Sequence, residues 1–178
     1  MILLLLFLFK LQLITKCIKD PYYSRYISII FNKSKGDILP ESLRPFHLAF
    51  PVRNLVEAKR WYCDVLGCTL GRESREWIDF NFYGHQIVAH LSKQKLHIHS
   101  NEVDGHSVPV RHFGIILTSG RWEKLKNDLI SKNIHFIIKP NTRFRDSRGE
   151  QCTMFVRDPS GNALEFKSFR DDSMIFER

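Results

Sequence analysis

"PFHLAFPV", residues 45–52, alternates so that Phe46, Leu48 and Phe50 share one face while His47 and Ala49 share the other. Apolar residues at every second position describe a strand with one side on a core. A single imidazole on the outer face is ordinarily a satisfied hydrogen-bonding group, so His47 alone decides nothing. A second copy changes its weight. "VRHFGIIL", residues 110–117, sets His112 and Gly114 on one face and Phe113, Ile115 and Leu117 on the other.

Each copy is followed by a helix signal. In "NLVEAKRWYCDVLGC" (54–68), Asn54 is placed to cap and Glu57 to complete a capping box; Leu55, Ala58, Trp61, Tyr62 and Val65 keep helical spacing, and Gly67 ends the run. In "SGRWEKLKNDLISKNI" (119–134), Trp122, Leu125 and Leu129 share a face and Asn133 lies near the stop. Strand-like segments come next, "REWIDFNFYG" and "HQIVAHLS" in the first half, and "HFIIKP", "EQCTMFVRDPSG" and "NALEFKSF" in the second. The YG and DPSG sequences supply turns. The order strand, helix, several strands therefore occurs twice. One module of about 50 residues buries little surface alone, whereas two side by side share a core. The expected domain is 44–172, with modules at about 45–93 and 110–170, a polar linker at 94–109 and a tail at 173–178.

Residues 1–43 differ in composition. The apolar run Ile2–Phe9 is too short to span a bilayer, and a basic, acid-poor stretch follows it from Lys10 to Lys35. We read 1–43 as a signal- or transit-like leader outside the fold, which implies an organelle or the secretory pathway, with the cytoplasm as the alternative. No stable membrane span is expected. The net charge of +8 is no nucleic-acid signature: residues 1–44 hold seven Lys/Arg against three Asp/Glu, and the other +4 is spread over 134 residues. The cysteines (Cys17, Cys63, Cys68, Cys152) contain no CxxC pair and read as free thiols or small apolar residues.

The closing strands of the modules carry polar residues too. His90 opposes Ile87, Ala89 and Leu91 in one, and Glu165 opposes Leu164 and Phe166 in the other. His47 to His90 is 43 residues, and His112 to Glu165 is 53. A carboxylate buried among apolar strands is costly unless a cation compensates it. A divalent metal held by imidazoles and a carboxylate satisfies all four groups, and a purely structural hydrogen-bond network is the alternative. Iron, manganese, nickel and zinc all suit such donors.

From about Pro45 to Arg170 the chain resembles the vicinal oxygen chelate superfamily, which includes glyoxalase I, fosfomycin-resistance enzymes, extradiol dioxygenases and bleomycin-binding proteins. "FHLAFPVRNLVEAKRWYCDVLGC", "RHFGIIL" and above all "FVRDPSGNALEFK" carry the likeness. It implies an α+β fold of two βαβββ modules forming a cupped mixed sheet around one metal ion. By position it implies His47, His112 and Glu165 as ligands, with His90 where glyoxalase I has a further carboxylate ligand. It also implies a small-molecule substrate and a possible homodimer.

Three functional expectations follow from the resemblance. The leading one is a lyase or isomerase that chelates vicinal substrate oxygens and stabilises an enediolate-type anion, with Glu165 as the base and His90 contributing to catalysis. The second is an iron(II) extradiol-type dioxygenase, in which His90 acts beside the metal rather than on it. The third is a metal-free sequestering protein of the bleomycin-binding kind with an aromatic cleft. Trp77, Asp79 and Asn81 share a strand face with Tyr83 and are candidate substrate contacts, as is Arg145 in the charged loop 143–148. His85, His97, His99, His106 and His135 read as loop or strand-edge residues.

Overall fold

The computed structural model describes residues 44–93 and 99–176. The leader reading for 1–43, and His97, fall outside the described residues. The first module runs β1 (His47–Val52), α1 (Leu55–Arg60), β2 (Thr69–Glu73), β3 (Trp77–Phe82) and β4 (His85–Leu91). Next, β5 (Ser100–Val103) and β6 (His106–Pro109) pair as a hairpin. The second module runs β7 (His112–Ile116), α2 (Ser119–Ser131), β8 (Phe136–Arg143), β9 (Gln151–Arg157) and β10 (Ala163–Phe169).

The two four-stranded sheets have the same order, β1-β4-β3-β2 and β7-β10-β9-β8. In each, the first strand lies parallel to the last and the remaining pairs are antiparallel. The duplication legible in the sequence is thus a duplication of topology, and the βαβββ expectation holds.

Local chemistry explains the helices. The Asn54 carboxamide oxygen accepts from the N–H groups of Val56 and Glu57, satisfying donors that the first turn leaves unpaired. α1 continues through a π-helical turn, Trp61–Val65, and ends at Gly67, whose φ of 73° suits a residue without Cβ. In α2 the buried residues are Trp122, Leu125 and Leu129, as their spacing predicts. Asn133, with φ 54°, ends the run.

One apolar cluster serves both modules. Phe50, Val52, Tyr62, Phe80, Phe82 and Ile87 of the first pack with Leu129, Met154, Val156, Leu164 and Phe166 of the second. The ring of Phe113 meets Phe50 at 5.1 Å and Phe82 at 6.3 Å, so the edge strands β1 and β7 face each other. A polar clasp reinforces this seam. Asp158 accepts from the backbone N–H groups of Ser160 and Asn162 and from the Tyr62 hydroxyl across the modules. Asn162 donates to Asp158 and to the Pro51 carbonyl on β1. Arg53 donates its N–H to Ser160 Oγ and a guanidinium N–H to the Pro159 carbonyl. The DPSGN turn therefore fastens the modules together as well as reversing the chain.

The described part of the polar linker expected at 94–109 is where the β5–β6 hairpin lies. Asp104 and Gly105 both have positive φ, 49° and 74°, the pairing that a two-residue hairpin turn requires.

Candidate metal centre

Register sorts each sheet into a core face and an opposite face. On the opposite face of the first sheet His47 pairs with Gln86, Ala49 with Val88 and Pro51 with His90. The next strand places Asn81, Asp79 and Trp77 beside those same three residues of β4. In the second sheet His112 pairs with Ala163, Gly114 with Glu165, and Ile116 with Lys167.

The two registers, overlaid, correct one expectation. The counterpart of Glu165 in the first module is Val88. His90 lies one rung further along, in the place of Lys167. Counting residues alone could not show this, because it requires the pairing of β1 with β4.

His112 and Glu165 come together, with Nε2 to Oε2 at 3.2 Å. Glu165 is buried, 7% exposed, and its carboxylate is fully engaged: Thr153 donates to Oε1 at 2.7 Å and the Lys167 ammonium lies 3.4 Å from Oε2. Burial pushes Glu165 upward, but His112, Thr153 and Lys167 together outweigh it and hold the group below the usual carboxylate range. The hydrogen bond to Glu165 raises His112; burial opposes it, and the bond to Pro109 adds to the rise.

Gly114 makes this meeting of strands possible. A Cβ there would stand 1.5 Å from the Glu165 carbonyl oxygen.

Both first-strand histidines have their Nδ1 atoms held. His112 Nδ1 lies 2.6 Å from the Pro109 carbonyl, which can only accept, so Nδ1 carries a proton. His47 Nδ1 lies 2.8 Å from Gln86 Oε1. Gln86 donates its amide to Asp79 Oδ2, itself paired with Arg72, which leaves the Gln86 oxygen facing His47. His47 Nδ1 is then the donor as well. In each ring the bond at Nδ1 fixes tautomer and orientation, and in His112 it turns Nε2 toward Glu165.

The remaining candidates serve neighbouring structure. Asp79 is buried in the network that orients His47. Asn81 takes the Gly84 N–H and stabilises the β3–β4 turn. Trp77 is half-buried with the Arg72 guanidinium over its ring. Arg145 is exposed beyond the end of β8, and the arginine on the face with Glu165 is Arg143. Gln86, Thr153, Pro109 and Gly114 were missed. Gln86 was legible as a polar residue on the strand face of His90, but Thr153 and Pro109 needed tertiary register.

Two imidazole Nε2 atoms and an ionised carboxylate are a fitting donor set for a divalent transition metal. Of these, His112 and Glu165 already meet. Among the described residues no group of three His, Cys, Asp or Glu side chains is gathered closely enough to hold an ion, so His47 stands apart from that pair.

Known proteins show the same architecture. The profile of the Glyoxalase/Bleomycin resistance protein/Dioxygenase superfamily matches residues 44–166. A glyoxalase/bleomycin resistance protein/dioxygenase from Alicyclobacillus acidocaldarius is 35% identical, with a TM-score of 0.65 over 78% of this chain and 100% of its own. Two more distant structures share the fold alone. A fosfomycin resistance protein from Listeria monocytogenes is 10% identical (TM-score 0.54, covering 68% of this chain and 89% of its own). A lactoylglutathione lyase from Agrobacterium tumefaciens is 16% identical (TM-score 0.51, covering 72% and 95%). The chain belongs to the glyoxalase/bleomycin resistance/dioxygenase superfamily, a group that contains both enzymes and binding proteins.

Proposed function

We propose that the protein is a metal-dependent enzyme of the glyoxalase-like lyase or isomerase type, with His47, His112 and Glu165 as the protein's metal ligands. The observation that carries this reading is the matched fixing of the two histidines, each with its Nδ1–H held by an acceptor. A structural histidine needs no such duplication. The His112–Glu165 pair adds support, because an imidazole nitrogen and a carboxylate oxygen already face one another at 3.2 Å.

When bound, the metal would supply Lewis acidity toward two neighbouring substrate oxygens. The chain's own residues do the rest. Pro109 and Gln86 orient the two imidazoles. Thr153 and Lys167 keep Glu165 ionised and in place, which suits a ligand better than a base, since each contact lowers its proton affinity. His90, one rung beyond Val88, is on the same sheet face and is the residue we assign to proton transfer. The clasp ties β1, and with it the strand that carries His47, to the second module of the same chain.

The test is elemental analysis of the full-length chain purified without chelator. About one transition-metal ion per chain is expected, lost in His112→Ala and Glu165→Ala and retained in His90→Ala. Absence of stoichiometric metal in the wild type would overturn the reading in favour of a metal-free binding protein.

A further inference from the structure

Beyond the His112–Glu165 pair, the same face of the second sheet continues for two more rungs. The first holds Lys167, Thr153 and Asn141 across β10, β9 and β8; the second holds Phe169, Gln151 and Arg143. The last two carry unmet hydrogen-bonding atoms. Gln151 is 8% exposed and among the described residues its Oε1 has no partner; nor does the buried Arg143 Nε, directly across the β8–β9 pair. Buried polar atoms left unpaired are costly, and two on one rung call for an explanation.

The neighbouring hairpin suggests what belongs there. Its base holds His112 through the Pro109 carbonyl, and at its tip Asp104 forms an ion pair with Arg143 Nη2. Since His112 and Arg143 lie on opposite edge strands of one sheet, the hairpin crosses that face from edge to edge. Arg143 is therefore held by a carboxylate that is built into the chain, while its Nε and the Gln151 oxygen go unused.

We propose that Arg143 and Gln151 form a subsite for a substrate carboxylate that carries an N–H or O–H beside it, with Asp104 as the internal carboxylate that the ligand displaces. The guanidinium supplies Nε–H and Nη–H to the carboxylate, a fork that suits a planar two-oxygen anion. Gln151 Oε1 accepts from the neighbouring N–H or O–H. Lys167, one rung nearer the histidine, adds positive charge along the way. The Glu165 and Gln151 rungs are four residues apart along the strands, roughly 13 Å at about 3.3 Å per residue. This inference rests on the metal reading for the far end of the ligand. On that reading the substrate is an elongated organic acid, with chelating oxygens at one end and the carboxylate at the other.

The test uses the full-length, metal-stripped chain, with N-acetylglycine as the probe and N-acetylglycinamide as its uncharged control. Binding is followed by calorimetry and by amide chemical shifts. N-acetylglycine is expected to bind and to shift Gln151 and Arg143, with at least about tenfold weaker binding of the amide and a similar loss in Arg143→Met. Asp104→Asn tolerates the positive φ of the hairpin turn and removes the competing charge, so binding should tighten several-fold. Equal binding of acid and amide, unchanged binding in Arg143→Met, or weaker binding in Asp104→Asn would each overturn the proposal. Because no metal is present, these results stand apart from the metal analysis. A chain that binds N-acetylglycine as described but never takes up metal would retain the subsite and lose only the chelating end.

Discussion

His112 and Glu165 respond to acid and base in opposite senses, and this sets a pH window. His112 is raised above its ordinary 6.5, so its contribution to folding is complete below 6.5 and is lost as pH rises through the raised value. Glu165 is lowered from 4.5, so its contribution is complete above 4.5 and is lost as pH falls through the lowered value. In the metal-stripped protein the advantage of wild type over Glu165→Gln should therefore be greatest between about pH 4.5 and 6.5. Urea unfolding across the pH range measures it; a difference independent of pH would count against the ion pair. Metal uptake follows the same logic. An imidazole that holds a metal must be neutral, so on the proposed ligand set affinity should fall about tenfold per pH unit below the raised His112 value, where uptake would release a proton. Metal titrations in buffers of different ionisation enthalpy count that proton. His112 and Glu165 were visible in the sequence because period two puts each opposite apolar neighbours. Val88 was not, since an apolar residue in an apolar strand gives no sign that it occupies a carboxylate's place.

At the scale of elements, strand spacing and the turn that joins the modules are the sensitive points. Gly114→Ala would push a methyl group into the Glu165 backbone carbonyl, which cannot rotate away as a side chain would. β7 must then separate from β10, with a cost of about 3 kcal/mol and loss of the 3.2 Å contact. Denaturant unfolding and metal content, measured on the same sample, should fall together. Asn162→Ala acts through the clasp. It leaves the Pro51 carbonyl without this donor and takes one of two donors from Asp158 Oδ2, which keeps the Tyr62 hydroxyl, and a destabilisation of about 1–3 kcal/mol is expected from the shift in urea midpoint. The helices were legible because their caps and apolar spacing are local. The hairpin was signalled by Asp104-Gly105, but with the polar residues around it the segment reads equally well as a loop. The clasp was invisible, since Tyr62 and Asp158 are separated by nearly a hundred residues.

At the scale of the molecule, the doubled module leaves two routes to the proposed site: His47 would act beside the pair in its own chain or beside the pair of a second copy. The seam contacts favour one chain. Co-refolding His47→Ala with Glu165→Ala should then recover no metal, whereas exchange between copies would restore about a quarter of the sites, because half the dimers are mixed and each has one intact centre. Metal analysis of the mixture reads the answer directly. The twofold repeat was plain in the sequence, but its asymmetry lies in a single pair of positions. With valine opposite glutamate, the proposed ligand set has three donors where a fully symmetric repeat would offer four. Restoring symmetry with Val88→Glu would add a fourth donor to that set, making a bound ion harder to remove and less able to engage a reactant.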